Sequence, residues 1–215
     1  MIKFEHLEVW GWKHAIRGMR NPLNSWDKSD SVGGQLGKND LDLMRRLIRA
    51  GSSHRKFLRQ IFVSVDITAP RYWWAEFDTY KVGTTANSCS TMHKITAKEF
   101  TFDDFSHEKL INSACMEIQE QHIRISPIQA LSTTIECLNS YRDLYLQTKD
   151  KKYWWQLIQL LPQSYNQKRT ITLTYENLLN MVIQRRGHKL DEWHDFCDWV
   201  FTLPYTEELF KEETK

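Results

Sequence analysis

The segment TYKVGTTANSCSTMH, residues 79–93, gathers six short hydroxyl or amide side chains, Thr84, Thr85, Asn87, Ser88, Ser90 and Thr91, just after Gly83. Small side chains favour a nest of successive backbone N–H groups, which attracts an anion without formal charge. The flanks suit the same chemistry. RYWWAEFD precedes the segment, and His93 and Lys94 sit within or just after it, a combination fit for stacking on a base and pairing with a phosphate. The composition equally suits an ordinary surface loop with Ser/Thr turns, and both readings stand at this point.

Other chemistries find less support. GGQLGK, 33–38, lacks the G-x-x-x-x-G-K-[ST] spacing of a phosphate loop and follows no strand. His188 and His194 lie six apart, on poorly matched helix faces, with no carboxylate or cysteine to complete a metal set, so no metal is expected and both read as surface or capping residues. No G-x-S-x-G elbow or convincing Cys/His pair supports nucleophilic hydrolysis. Cys89, Cys115, Cys137 and Cys197 form no C-x-x-C pair, the first residues do not resemble a signal peptide, and no apolar run approaches the roughly 18 residues of a spanning helix. These features predict a reduced, cytoplasmic protein. The formal net charge of +2 gives no global field that would favour nucleic acid or membrane, so neither is an expected partner and any charge recognition is local.

The elements that must position these residues read as α+β, a small mixed sheet with several long helices. The length and 41% hydrophobic content predict a single domain over 1–215. IKFEHLEV alternates like a strand and WGWKHAIRGMR follows as a short helix. Residues 21–40, rich in Asn, Pro, Ser, Asp and Gly, read as a mobile loop. Asn39 or Asp40 then caps a helix with Leu41, Met44, Leu47 and Ile48 on one face, stopping at Gly51. QIFVSVDIT, 60–68, is the clearest strand. Residues 107–162 read as mainly helical: Ser126 and Pro127 open a helix to about Thr148, and another runs from Lys151 to Leu161. Thr174 caps a helix that stops at Gly187, and LDEWHDFCDWVFTL forms the last one. The nine Trp predict an aromatic core and subunit contacts.

The order of these elements resembles the flavin-dependent thymidylate synthases. IFVSVDITAP is similar to that family's strand ending in an Ala-Pro-like pair, and RYWWAEFD to its following helix. Thr85, Asn87 and Ser90 match the Ser, Asn and second Ser of its signature loop at the same spacing. LLP at 160–162, and Leu178, Leu179 and Arg186 with DEWH, resemble later family segments. The likeness runs over roughly 38–202, with 94–150 matching in helical character alone. In the family the loop wraps a nucleotide's phosphate and sugar. The resemblance therefore implies nucleotide binding by Thr84, Thr85, Asn87, Ser88 and Ser90, with Arg186, Lys81 and His93, and with Arg17 and Arg20 from an Ala-Arg-rich helix. It also implies a homotetramer with shared pockets, and a diverged nucleotide enzyme of this size suits a phage or its bacterial host.

The family's flavin-holding Arg-His-Arg is replaced here by Thr79-Tyr80-Lys81, or Tyr80-Lys81-Val82 in the shifted alignment, leaving Lys81 as the one cation. Ser88 stands for a family Glu, and Met92-His93 for a terminal Arg-Tyr. Guanidinium forks make bidentate phosphate contacts that an ammonium cannot copy. Three functional readings follow. The first is a divergent relative that binds or sequesters a phosphorylated nucleoside or nucleotide signal without flavin. The second is an active flavin-dependent methyl-transferring enzyme acting on dUMP or a related pyrimidine nucleotide, with FAD as its cofactor. The third is a structural or interaction module retaining the fold alone.

Overall fold

The computed structural model describes residues 2–113, 116–118 and 123–213. β1 (Lys3–Trp10) and α1 (Trp12–Arg20) lie where the sequence pattern puts them. α2 (Lys38–Arg49) buries Met44 and Ile48 on the expected face, but its cap differs from expectation. Gly37 occupies the cap position, and Asp30 supplies the carboxylate, accepting from the N–H of Asn39 (2.9 Å) and of Asp40 (3.1 Å). A Cβ on residue 37 would come within 2.2 Å of the Asp30 carboxyl, so glycine is what allows this approach. Asp40 is thereby released from capping and points inward.

β2 (Phe62–Pro70) buries Val63, Val65 and Ile67 and leaves Ser64, Asp66 and Thr68 half-buried, as period-2 alternation requires. α3 (Arg71–Phe77) follows directly. β3 (Thr85–Ser88) is a correction, because the hydroxyl-rich segment was expected to be a loop. Its Thr85 is β-branched and favours extended backbone, and the strand lies at a sheet edge beside β6 (Asn166–Thr174). Successive N–H groups of a strand point to opposite sides, so 85–88 forms no nest.

α4 (Thr91–Lys94) is a single turn. Within the segment expected to be helical, β4 (Met116–Ile118) and β5 (Ile123–Ile125) instead pair antiparallel, where MEI and IRI alternate. α5 (Pro127–Thr148) opens on a reciprocal Ser126–Gln129 capping box, and α6 (Lys151–Leu160) on Asp150. α7 (Tyr175–Arg185) is capped by Thr174, and α8 (Asp191–Phe201) and a short α9 (Thr206–Phe210) complete the chain. The main sheet has the order β1-β2-β6-β3; its strands run antiparallel, so it is not mixed in direction.

The packing divides into two compact units. One comprises Thr68–Glu76 and Ser88–Lys168; its core joins Phe100 and Phe105 to Leu131, Ile135 and Leu138 of α5 and Leu157 of α6. The other comprises Ile2–Ile67, Phe77–Asn87 and the chain from Arg169. There Phe77, Trp193 and Phe196 meet in edge and stacked contacts, and Trp12 packs edge-on against Tyr175 and Tyr205. Trp73, Trp74 and Trp193 have no exposed surface, so much of the aromatic surplus is core. Trp10, Trp26 and Trp155 remain exposed.

Candidate functional site

In the second unit, three side chains of the α7 helix hold the 80–83 turn. The Tyr80 hydroxyl donates to Gln184 Oε1 (3.0 Å) and accepts from Arg185 Nε (2.8 Å), while Asn177 Nδ2 donates to the Val82 carbonyl (2.7 Å). Asn177 can do this because its own Oδ1 is fixed by the N–H and hydroxyl of Thr174 at the helix cap (3.1 and 2.6 Å). Gly83 has φ 76°, and a Cβ there would stand 3.1 Å from Asn177 Oδ1, so the turn needs glycine twice over. Asp78, just before the turn, is paired with Arg169 at 2.7 Å.

These contacts shape a cavity of about 390 Å³ whose lining includes Phe77, Asp78, Tyr80, Lys81 and Thr84. The Thr84 hydroxyl is buried, with no hydrogen-bond partner among the described residues. Leaving such a group unmet costs about 1–3 kcal/mol. Lys81 is exposed and makes no ion pair among the described residues.

The remaining candidates from the sequence are dispersed. Thr85 and Asn87 are exposed on β3 in this unit; Ser88, Ser90 and His93 belong to the other. Ser90 caps α4, its Oγ accepting the His93 N–H at 3.2 Å, and the His93 ring is exposed. Arg186 ends α7 with its guanidinium 5.7 Å from the centre of the Phe201 ring. Arg185, in the last turn of α7, lies 5.5 Å from the Tyr80 ring centre and 4.9 Å from that of Trp193. Residues 185 and 186 project about 100° apart on a helix, so one arginine faces the turn and the other does not.

Arg20 is buried, with Nε 2.6 Å from Asp40 Oδ1 and one terminal nitrogen donating to the Ser25 carbonyl (3.2 Å). Asp40 also accepts from the hydroxyls of Ser29 (2.7 Å) and Ser31 (2.6 Å). Burial by itself raises the Asp40 pKa, but the bonds from Ser31, Ser29 and Arg20 and the Arg20 charge outweigh it and hold the carboxyl below its usual range. Arg17 is exposed on α1.

One feature of this unit was missed from sequence. Two cavities of about 770 and 830 Å³ share Arg20, Lys28, Leu43 and Arg46 in their walls, and the larger adds His54 and Lys56 over an apolar floor that includes Phe57. Lys28, Arg46 and Lys56 have no ion-pair partner among the described residues. The density of basic residues in RRLIRAGSSHRK was the available signal. Among the described residues no three His, Cys, Asp or Glu side chains converge to hold a metal, and no helix is long and apolar enough to cross a membrane. Cys89, Cys137 and Cys197 are free thiols; Cys115 lies outside the described residues.

No protein-family model matches the chain, and neither does any curated protein. Solved structures do. Thymidylate Synthase X from Helicobacter pylori, determined with FAD and dUMP, superposes with a TM-score of 0.67 at 17% identity, over 100% of this chain and 98% of that one. The UMP/dUMP methylase PolB from Streptomyces cacaoi, bound with 5-Br dUMP, gives 0.65 at 15% identity, over 99% and 95%. The chain shares the fold of Thymidylate Synthase X and of PolB along its whole length.

Proposed function

We propose that this protein binds a phosphorylated nucleoside or nucleotide signal through the 77–86 cavity and does so without flavin chemistry. The observation that carries the reading is the cavity itself, in whose wall the exposed Lys81, without an ion-pair partner among the described residues, stands beside Tyr80 and Thr84. Solved structures of the same fold hold dUMP or its bromo analogue, which supports this class of ligand. A flavin's diphosphate does not fit this cavity: among the described residues Lys81 is the single cation in its lining, and the Asp78 carboxylate lines it too. Of the two adjacent arginines, Arg185 holds Tyr80, which lines the cavity, so Arg185→Ala is expected to weaken binding more than Arg186→Ala. This reverses the order that the family resemblance implied.

Saturating dUMP or UMP, at about a hundred times its dissociation constant, should raise stability by roughly 2.7 kcal/mol. Thermal melts with a nucleotide panel, and mass spectrometry of whatever is released on denaturation, test this directly. Flat melts across the panel would leave an interaction module as the better description. The nucleotide reading also carries a homo-oligomer, probed by light scattering against the chain mass of 25.7 kDa.

A second reading, an FAD-dependent methyl-transferring enzyme on a pyrimidine nucleotide, is favoured by the wide basic cleft. There Lys28, Arg46 and Lys56 have the charge for a diphosphate and the apolar floor suits a flat ring. A bound flavin would supply hydride transfer, and these residues would serve to hold and orient it. Yellow protein with one flavin per chain would favour this reading over the first.

A further inference from the structure

We propose that a third cavity, of about 370 Å³ in the second unit, is a separate binding site for a planar aromatic anion, a ring carrying a phosphate or carboxylate. It stands apart from the 77–86 cavity and does not depend on that reading. Its wall holds two indoles, Trp12 and Trp26, with Lys13, Arg17 and Arg20 of the α1 helix.

Both indoles are fixed before any ligand arrives. Trp12 is held edge-on by Tyr175 and Tyr205, each 5.3 Å away between ring centres. Trp26 donates its ring N–H to Asn21 Oδ1 at 2.9 Å and leaves half its surface exposed. Rigid indoles offer stacking area with little entropy left to lose.

The charges at the wall are of one sign. Lys13 and Arg17 lie one turn apart on α1, both exposed and without an ion-pair partner among the described residues. Arg20 spends Nε on Asp40 and one terminal nitrogen on Ser25; its other terminal nitrogen makes no hydrogen bond among the described residues. The hydroxyls of Ser29 and Ser31, which also line the cavity, donate to Asp40. Asp40 itself is buried against Arg20, so no uncompensated carboxylate faces the space. Aromatic faces would serve a cationic ligand equally well, but Lys13 and Arg17 repel one. The combination selects a ring for the indoles and an anion for the helix.

The test is calorimetry of the full chain carrying Lys81→Ala, which removes the cation of the 77–86 cavity, with UMP, neutral uridine and 1-naphthoate, the two anions separating a phosphate from a carboxylate source. Either anion should bind at least about tenfold tighter than uridine, from one charge-assisted contact. Adding Trp26→Ala should weaken that binding about tenfold, from loss of stacking. The double variant Lys13→Ala/Arg17→Ala, at two exposed positions, should weaken it at least tenfold and provides a second test if Trp26→Ala alters the near-ultraviolet circular dichroism. Absence of binding at millimolar anion, or binding that survives the double variant, would overturn the proposal.

Discussion

Replacing Asp40 by alanine is expected to cost about 3–5 kcal/mol, because it strands the buried Arg20 charge and removes the acceptor shared by Ser29 and Ser31. For a chain of this length that corresponds to a fall in melting temperature of roughly 6–20 °C. The pH dependence has a definite sign. The folded carboxyl titrates below its unfolded value, so its contribution is complete above about pH 4 and is lost as pH falls through the folded value. Acid unfolding of Asp40→Ala should therefore show a shallower low-pH limb than wild type. A variant that melts within 2 °C of wild type would refute the account of this pair (a shift of that size is about 1 kcal/mol or less).

Arg55→Ala is the second large effect. Arg55 Nε contacts both oxygens of Glu176 at 3.1 Å, and its Nη2 donates to Asn180 Oδ1 at 3.0 Å, tying the 56–60 turn to α7. Both side chains are nearly buried. Truncating the arginine alone leaves Glu176 uncompensated, at about 3–5 kcal/mol, whereas Arg55→Met with Glu176→Leu should recover most of that loss by replacing charge with packing. Urea midpoints of the single and double variants decide between a buried ion pair and a dispensable surface contact.

The strands and helices that show a clean period were legible: the alternation of β2, the Ser-Pro opening of α5 and the Thr174 cap of α7 each appear where the sequence puts them. β6 was not. In NQKRTITLT only Ile171 and Leu173, with Thr174 at the end, are buried, so the strand reads as polar until a neighbour covers one face. β3 was hidden because threonine serves both an anion loop and an extended edge. Arg20 and Asp40 lie twenty residues apart, and nothing local marks them as partners, so Arg20 was assigned by family likeness to a ligand. The family likeness of the fold, in contrast, was legible from the order of weak motifs.

Calorimetric titration of dUMP or UMP into Lys13→Ala/Arg17→Ala, with and without Lys81→Ala, tests the central claim most directly. The account predicts one nucleotide in the 77–86 cavity of the double variant and a loss of roughly ten- to a hundredfold in affinity on removing the Lys81 charge, the strength of a charged hydrogen bond. Equally tight binding with and without Lys81→Ala would contradict it, and would move the nucleotide to the basic cleft lined by Arg46 and Lys56.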